Sequence, residues 1–227
     1  SAIHYFFETP DTLKGFMKNL AECTKLNGYF IGTCYDGKQV FNELKKSKGG
    51  ESIQIVDEGK KIWELTKGYS SDSFEDNSSS IGYRIDVYQE SINQTISEYL
   101  VNFDYLNRVM DAYGFKLISR EEAVDFGLPD GSGLFNELFI NMLEEISKNK
   151  FKKKDYGDAE FMTAFEKKIS FLNRYFIYKK VREFNLETVQ LDLGEYEDTA
   201  EKRQTIHAVE VAKEEIKKTA PKIRKLS

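Results

Sequence analysis

The sequence predicts an α/β protein, and three observations carry that prediction. Apolar residues recur at helical spacing behind a strong start signal at Thr9-Pro10-Asp11. Aromatic and β-branched runs such as Tyr29-Phe30-Ile31 follow as strands. Ile81, Tyr83, Ile85 and Val87 alternate with polar residues, the period of a strand with one wet face. The chain has 227 residues, 40% hydrophobic with only three prolines, enough for one domain with an appendage.

Taken in order, Ser1-Ala2-Ile3-His4-Tyr5-Phe6-Phe7-Glu8 reads as the end of a buried strand with no polar lead before it. Chains usually open on a solvated segment, so this sequence is expected to be part of a longer polypeptide. Thr9 then suits an N-cap, Pro10 the first helical position, and Asp11 the positive end of the dipole. Leu13, Phe16, Met17, Leu20 and Leu26 supply that helix's apolar stripe, and Asn27-Gly28 its stop. Residues 29–34 read as a buried strand, Tyr35-Asp36-Gly37 as its turn, and residues 38–47 as a second helix. Strand, helix, strand, helix is a βαβα unit, for which parallel pairing is expected.

The middle is of another kind. Residues 52–58 and 62–66 read as strands paired about Gly59, and the Ser-, Asp- and Asn-rich residues 69–80 as an exposed loop. After the alternating strand comes an amphipathic helix over 97–113, ended by Gly114, and a strand over 115–119. A turn-rich stretch at 125–133, a helix at 134–146, a basic loop at 148–154, a helix at 158–169 and a last strand at 172–179 complete the body, residues 1–181. Beyond Val181 aromatics thin out and mixed charge becomes dense. Residues 182–227 read as a charged, partly helical tail whose apolar stripe is only Ile206, Val209 and Ile216. Its closing Lys222-Ile223-Arg224-Lys225 reads as a solvated end, with a phosphate-binding arm as the alternative.

Composition excludes several function classes. Thirty-three basic against thirty-eight acidic residues give a net charge of −5. Bulk positive charge therefore does not hold long nucleic acid, although a local basic groove stays open. Cys23 and Cys34 match no zinc-ligand spacing, and two cysteines cannot build a disulfide scaffold. No run approaches membrane-span length and no charged stretch precedes an apolar one, so neither a span nor a signal peptide is read and an intracellular setting is expected. No glycine-rich nucleotide fingerprint, P-loop, nucleophile elbow or HExxH is present, so no metal is expected and triad or kinase-type chemistry has no support.

Three places deserve weighing as sites. His4-Tyr5 lies at the end of an expected parallel strand, where open α/β sheets bind ligands; a lone His on an apolar segment is equally read as structural. Glu98 sits where a strand is expected to hand over to a helix. Its plain role is a favourable acid in the first turn. Its sharper role is to accept two hydrogen bonds from the N1–H and exocyclic amine of guanine, a donor pair adenine lacks. Leu191-Asp192-Leu193-Gly194-Glu195-Tyr196 has one glycine where a cofactor loop needs several, and is read as a decoy.

Several segments together resemble the mRNA cap guanine-N7 methyltransferases, especially the methyltransferase domain of large-DNA-virus capping enzymes. They are Ala2-Ile3-His4-Tyr5-Phe6-Phe7-Glu8, Gly28-Tyr29-Phe30-Ile31-Gly32-Thr33, Tyr35-Asp36-Gly37, Ser97-Glu98-Tyr99-Leu100-Val101 and Tyr113-Gly114-Phe115-Lys116-Leu117. Their order holds across residues 1–181. The resemblance implies the C-terminal half of a Rossmann-like, S-adenosylmethionine-dependent fold with an inserted antiparallel region and a helical tail. It also implies transfer of methyl from S-adenosylmethionine to N7 of the cap guanine. His4, Tyr5 and Glu98 would bind the cap, joined by Asn173 or its neighbour Tyr175 where relatives carry a tyrosine. Ser1 and Tyr5 would face the cofactor. Two departures stand out: Tyr35 replaces a proline common in relatives, and the glycine-rich loop, ribose-binding acid and preceding lysines are absent. The implied partners are the 5′ cap of mRNA and the upstream half of the domain or a capping-enzyme partner. The implied setting, if viral, is a cytoplasmic factory or the virion. A non-catalytic stimulatory subunit of a viral capping enzyme is the alternative.

Overall fold

The computed structural model describes residues 2–185, Tyr196 and the backbone of residues 224–225. Its opening residues are helical, which corrects the strand expected there. Helix α1 (Ile3–Phe6) is a single turn in which the Tyr5 N–H donates to the Ala2 carbonyl at 3.0 Å. Ile3 and Phe7 are buried while Tyr5 is exposed, the four-residue spacing of one helix face. An apolar run this short suits a buried turn as well as a strand.

Helix α2 (Pro10–Cys23) starts as its cap signal dictates. The Thr9 hydroxyl accepts from the Thr12 N–H at 3.1 Å, and the Thr12 hydroxyl accepts from the Thr9 N–H at 3.0 Å. Leu13, Met17 and Ala21 form its buried stripe, and Asn27 turns the chain at φ 69°.

Strand β1 (Tyr29–Tyr35) pairs antiparallel with β8 (Asn173–Lys180), in register from Tyr29 opposite Lys179 to Tyr35 opposite Asn173. The parallel partner expected for β1 is missing among the described strands because α1 offers it no extended edge. The other edge of β8 carries β6 (Phe115–Leu117) and β7 (Ser132–Leu134), both antiparallel.

A second sheet runs in the order β5 (Gln94–Tyr99), β4 (Arg84–Gln89), β3 (Lys60–Lys67), β2 (Ser52–Asp57), β9 (Arg224–Lys225). Neighbours are antiparallel except β2 and β9, which are parallel. The expected hairpin turn falls on Glu58-Gly59, both at positive φ, the geometry that matches strand twist. Residues 97–99, expected to open the helix, belong to β5 instead; α4 (Phe103–Ala112) begins only after Asn102, whose side chain caps it. The face of β4 expected to be wet is closed: Arg84 and Asp86 are buried and paired at 3.0 Å. The loop at 69–80 is likewise only partly exposed, since Tyr69, Ser78 and Ser80 are buried.

The end of β1 meets the chain just after β5. Asp36 caps α3 (Gly37–Glu43) and forms a parallel bridge with Val101. A Cβ at Gly37 would lie 2.5 Å from the Val101 carbonyl oxygen, so only glycine allows this approach. Apolar clusters lie behind each sheet, one around Ile3, Phe7, Met17, Leu106 and Phe176, the other around Val40, Leu44, Trp63, Leu65 and Ile85. Helices α5 (Arg120–Val124) and α6 (Phe135–Lys148) pack on the first sheet, and α7 (Ala164–Ser170), whose Phe165 and Ile169 pack on the second cluster, leads the chain into β8. Of the tail, Phe184 packs on Tyr113 and Tyr196 on the first cluster. The helix expected around Ile206 and the stretch 191–195 lie outside the described residues.

Candidate functional site

The site is built where α1, β5 and the end of β1 meet. Glu98 stands opposite Ile85, so its side chain shares the inward face of Ile85 and Ile96. The turn α1 packs on β5 and β1. It brings His4 Nε2 to 3.8 Å from Glu98 Oε2, with the two side chains only 14% and 13% exposed. The Tyr5 ring is 44% exposed and its centroid lies 4.1 Å from that of His4, tilted by 54°.

Burial drives both members of this contact toward their neutral forms. It pushes Glu98 up to about 7 and His4 down to about 4. At neutral pH the contact therefore joins an uncharged imidazole to a carboxyl poised between its two states; it is not a salt bridge. His4 Nδ1 is buried without a hydrogen-bond partner.

The end of β1 closes the third side. Burial, and then the charge of Glu98, raises the Cys34 thiol far above its ordinary range, which holds it protonated. Burial also pushes the Tyr35 phenol up to about 12, and Tyr35 accepts a hydrogen bond from Trp63 Nε1 at 3.2 Å. Behind Tyr35, Asp36 fixes the strand end. Its Oδ1 accepts from the Lys38 and Gln39 N–H groups at 2.9 and 3.2 Å, and its Oδ2 from Arg174 Nε at 2.8 Å.

His4, Tyr5 and Glu98, distant in sequence, are thus brought together. Asn173 lies beside them through Tyr35, its cross-strand neighbour, with its amide donating to the Ile169 and Ser170 carbonyls at 3.3 and 3.2 Å. Tyr175 is turned to other work: its hydroxyl donates to the Asp130 carbonyl at 2.8 Å, and it lines a separate cavity of about 330 Å³ with Arg120, Glu137 and Asn141. Ser1 lies outside the described residues. Sequence reasoning missed Trp63 and the Asp36–Arg174 pair. The lone tryptophan on an alternating strand was a usable signal; a pair separated by so much chain left none.

Chemically, a recessed carboxyl beside a flat ring and an exposed phenol can receive the donor edge of a planar heterocycle. Cys34, protonated and buried, is no nucleophile. Among the described residues there is no group of three or more His, Cys, Asp or Glu able to hold a metal ion, and no helix long and apolar enough to cross a membrane.

The strands and helices thus make a mixed α/β chain in which a shielded acid stands against paired aromatic rings. The comparisons make that specific: residues 1–181 match the model of the mRNA (guanine-N(7))-methyltransferase domain, and the chain belongs to that family. It is 27% identical to the mRNA cap guanine-N(7) methyltransferase of Candida glabrata and 24% to that of Saccharomyces cerevisiae, over 80% of this chain and 42% and 40% of those proteins. It is 25% identical to the probable mRNA-capping enzyme of Acanthamoeba polyphaga mimivirus, over 81% of this chain and 17% of that one. The chain thus spans less than half the length of these relatives. The mixed α/β architecture with antiparallel sheets is consistent with a methyltransferase fold that uses S-adenosylmethionine.

The residues present fit that donor on one side only. Tyr5 offers an exposed ring next to His4. The glycine turn between β1 and α3, Gly37, is filled by the Val101 carbonyl and the Phe74 ring, so it packs protein and cannot cradle a nucleotide.

Proposed function

We propose that this chain is the cap-reading part of an mRNA cap guanine-N7 methyltransferase. The observation that carries the reading is the 3.8 Å approach of the His4 ring to the shielded Glu98 carboxyl, with the exposed Tyr5 ring against His4. Glu98, as carboxylate, accepts the N1–H and exocyclic N–H of the guanine edge. Neutral His4 and the exposed Tyr5 ring beside it together form one wall of the slot, between base and donor. Asn173 supports the rim through Tyr35; Tyr175, tied to Asp130, is not assigned to the cap.

Guanine N7 carries a lone pair and no proton, so no residue here acts as a general base. S-adenosylmethionine, when bound, supplies the methyl group on a positively charged sulfur. What these residues contribute is position: the base is held in line and water is kept from its edge. Tyr5 is assigned to the donor's side. The nucleotide end of the donor is assigned to the upstream half of the domain or to a capping-enzyme partner, because Gly37 leaves no space for it. Convergence of His4, Tyr5 and Glu98 favours this reading over a non-catalytic stimulatory subunit, which has no use for a guanine-reading acid.

The test is titration of the intact polypeptide with a cap dinucleotide. Glu98→Gln sets one amide donor against a guanine donor and should weaken binding by roughly 1–3 kcal/mol. Unchanged affinity would count decisively against the assignment.

A further inference from the structure

The strongest feature outside this site is a lysine-rich turn on the far side of α6. Five lysines occur between residues 148 and 154 of a chain whose net charge is −5. Lys148, Lys150, Lys152 and Lys154 are exposed and make no ion pair among the described residues. Lys153 pairs with Glu160 at 2.9 Å and sits 4.9 Å over the Phe161 ring. Between these cations stand large apolar rings open to solvent, Phe151 at 80% exposure and Phe161 at 64%.

The arrangement is built. Residues Lys150–Asp155 form a 3₁₀ turn, in which side chains three apart eclipse, so Lys154 stands over Phe151 and Lys153 over Lys150. Asn149 caps it by accepting the Phe151 N–H at 3.1 Å, and the Tyr156 hydroxyl anchors it to Glu145 of α6. From Phe161 the chain enters α7, whose Phe165 and Ile169 pack on the second cluster and whose end hands over to Asn173, opposite Tyr35. The turn is thus tied by packed structure to the rim of the recess.

We propose that this turn binds single-stranded RNA just downstream of the cap, with the free lysines on the phosphates and Phe151 and Phe161 stacking on bases. The proposal rests on the reading that the substrate is capped RNA. Like-charged side chains crowded on one turn repel each other and call for a polyanion. Exposed rings between them suit unpaired bases, whose faces are open; a duplex hides them. Cations interleaved with exposed rings bind without regard to sequence, as a substrate shared by every message requires.

The intact polypeptide is titrated by fluorescence anisotropy with a short uncapped oligouridylate, and separately with a cap dinucleotide, over a series of salt concentrations. The triple variant Lys150→Glu, Lys152→Glu, Lys154→Glu should bind the oligouridylate at least about tenfold more weakly and lower the salt slope by about 2, given roughly 0.7 per phosphate contact on a single strand. Phe151→Ala should lose about tenfold with its salt slope unchanged. The Lys→Arg triple should bind like wild type, and all three should keep their affinity for the cap dinucleotide, which separates this surface from the Glu98 recess. Wild-type affinity for oligouridylate in both the Lys→Glu triple and Phe151→Ala overturns the proposal and leaves the turn to an acidic protein surface.

Discussion

Replacing Glu98 by Gln should make the protein more stable at alkaline pH while damaging its recess. Burial raises this carboxyl from 4.5 to about 7, a displacement that corresponds to roughly 3 kcal/mol of preference for the protonated form in the folded chain. Between those two values the native state holds a proton that the unfolded chain has released. The contribution is therefore complete below the unfolded pKa and is lost as pH rises through the folded one. Gln is neutral throughout and similar in shape. The stability of Glu98→Gln relative to wild type should rise by roughly 2.5 kcal/mol in the variant's favour between about pH 5 and about pH 8. Urea unfolding of both proteins at the two pH values measures this directly. His4, held down to about 4 by burial, titrates in both proteins and cancels from the difference. A difference that does not change with pH, or a variant less stable on the alkaline side, refutes the claim that desolvation dominates at this carboxyl.

Two further outcomes follow from the same geometry. Cap-dinucleotide affinity of the wild type should level off above about pH 8 and fall about tenfold for each pH unit below 7, because only the carboxylate accepts both guanine donors; a flat titration between about pH 5 and 8 contradicts this. Arg174→Ala removes the partner of Asp36, whose side chain is only 7% exposed, and leaves a charge shielded from water. A loss of about 3 kcal/mol in urea unfolding is expected, with wild-type stability the contrary result.

Much of the architecture was legible in local signals. Thr9-Pro10, Asn27 and the Glu58-Gly59 turn behave as their chemistry dictates, since capping and positive φ are decided within a few residues. The pairing of β1 was not legible. Its partner, β8, arrives from the far end of the chain, and no local period records direction. The opening turn was misread because a short apolar run satisfies strand and helix alike, and residues 97–99 were misread as the start of a helix because no local period marks where β5 ends and α4 begins. Glu98 was found by the chemistry of its acid, and His4 with Tyr5 by resemblance. Their convergence is a tertiary fact, as is the inward turn of Arg84 and Asp86 on a face that alternation marks as wet.

The one-turn helix at the start of the chain rests directly on the strand that carries Glu98, and the Gly82 N–H fastens to the Phe7 carbonyl at 2.9 Å just beyond it. The gap between ring and acid is therefore set inside a single rigid block. The spacing of ring and acid thus needs no rearrangement of either element to form; it is present before any ligand arrives.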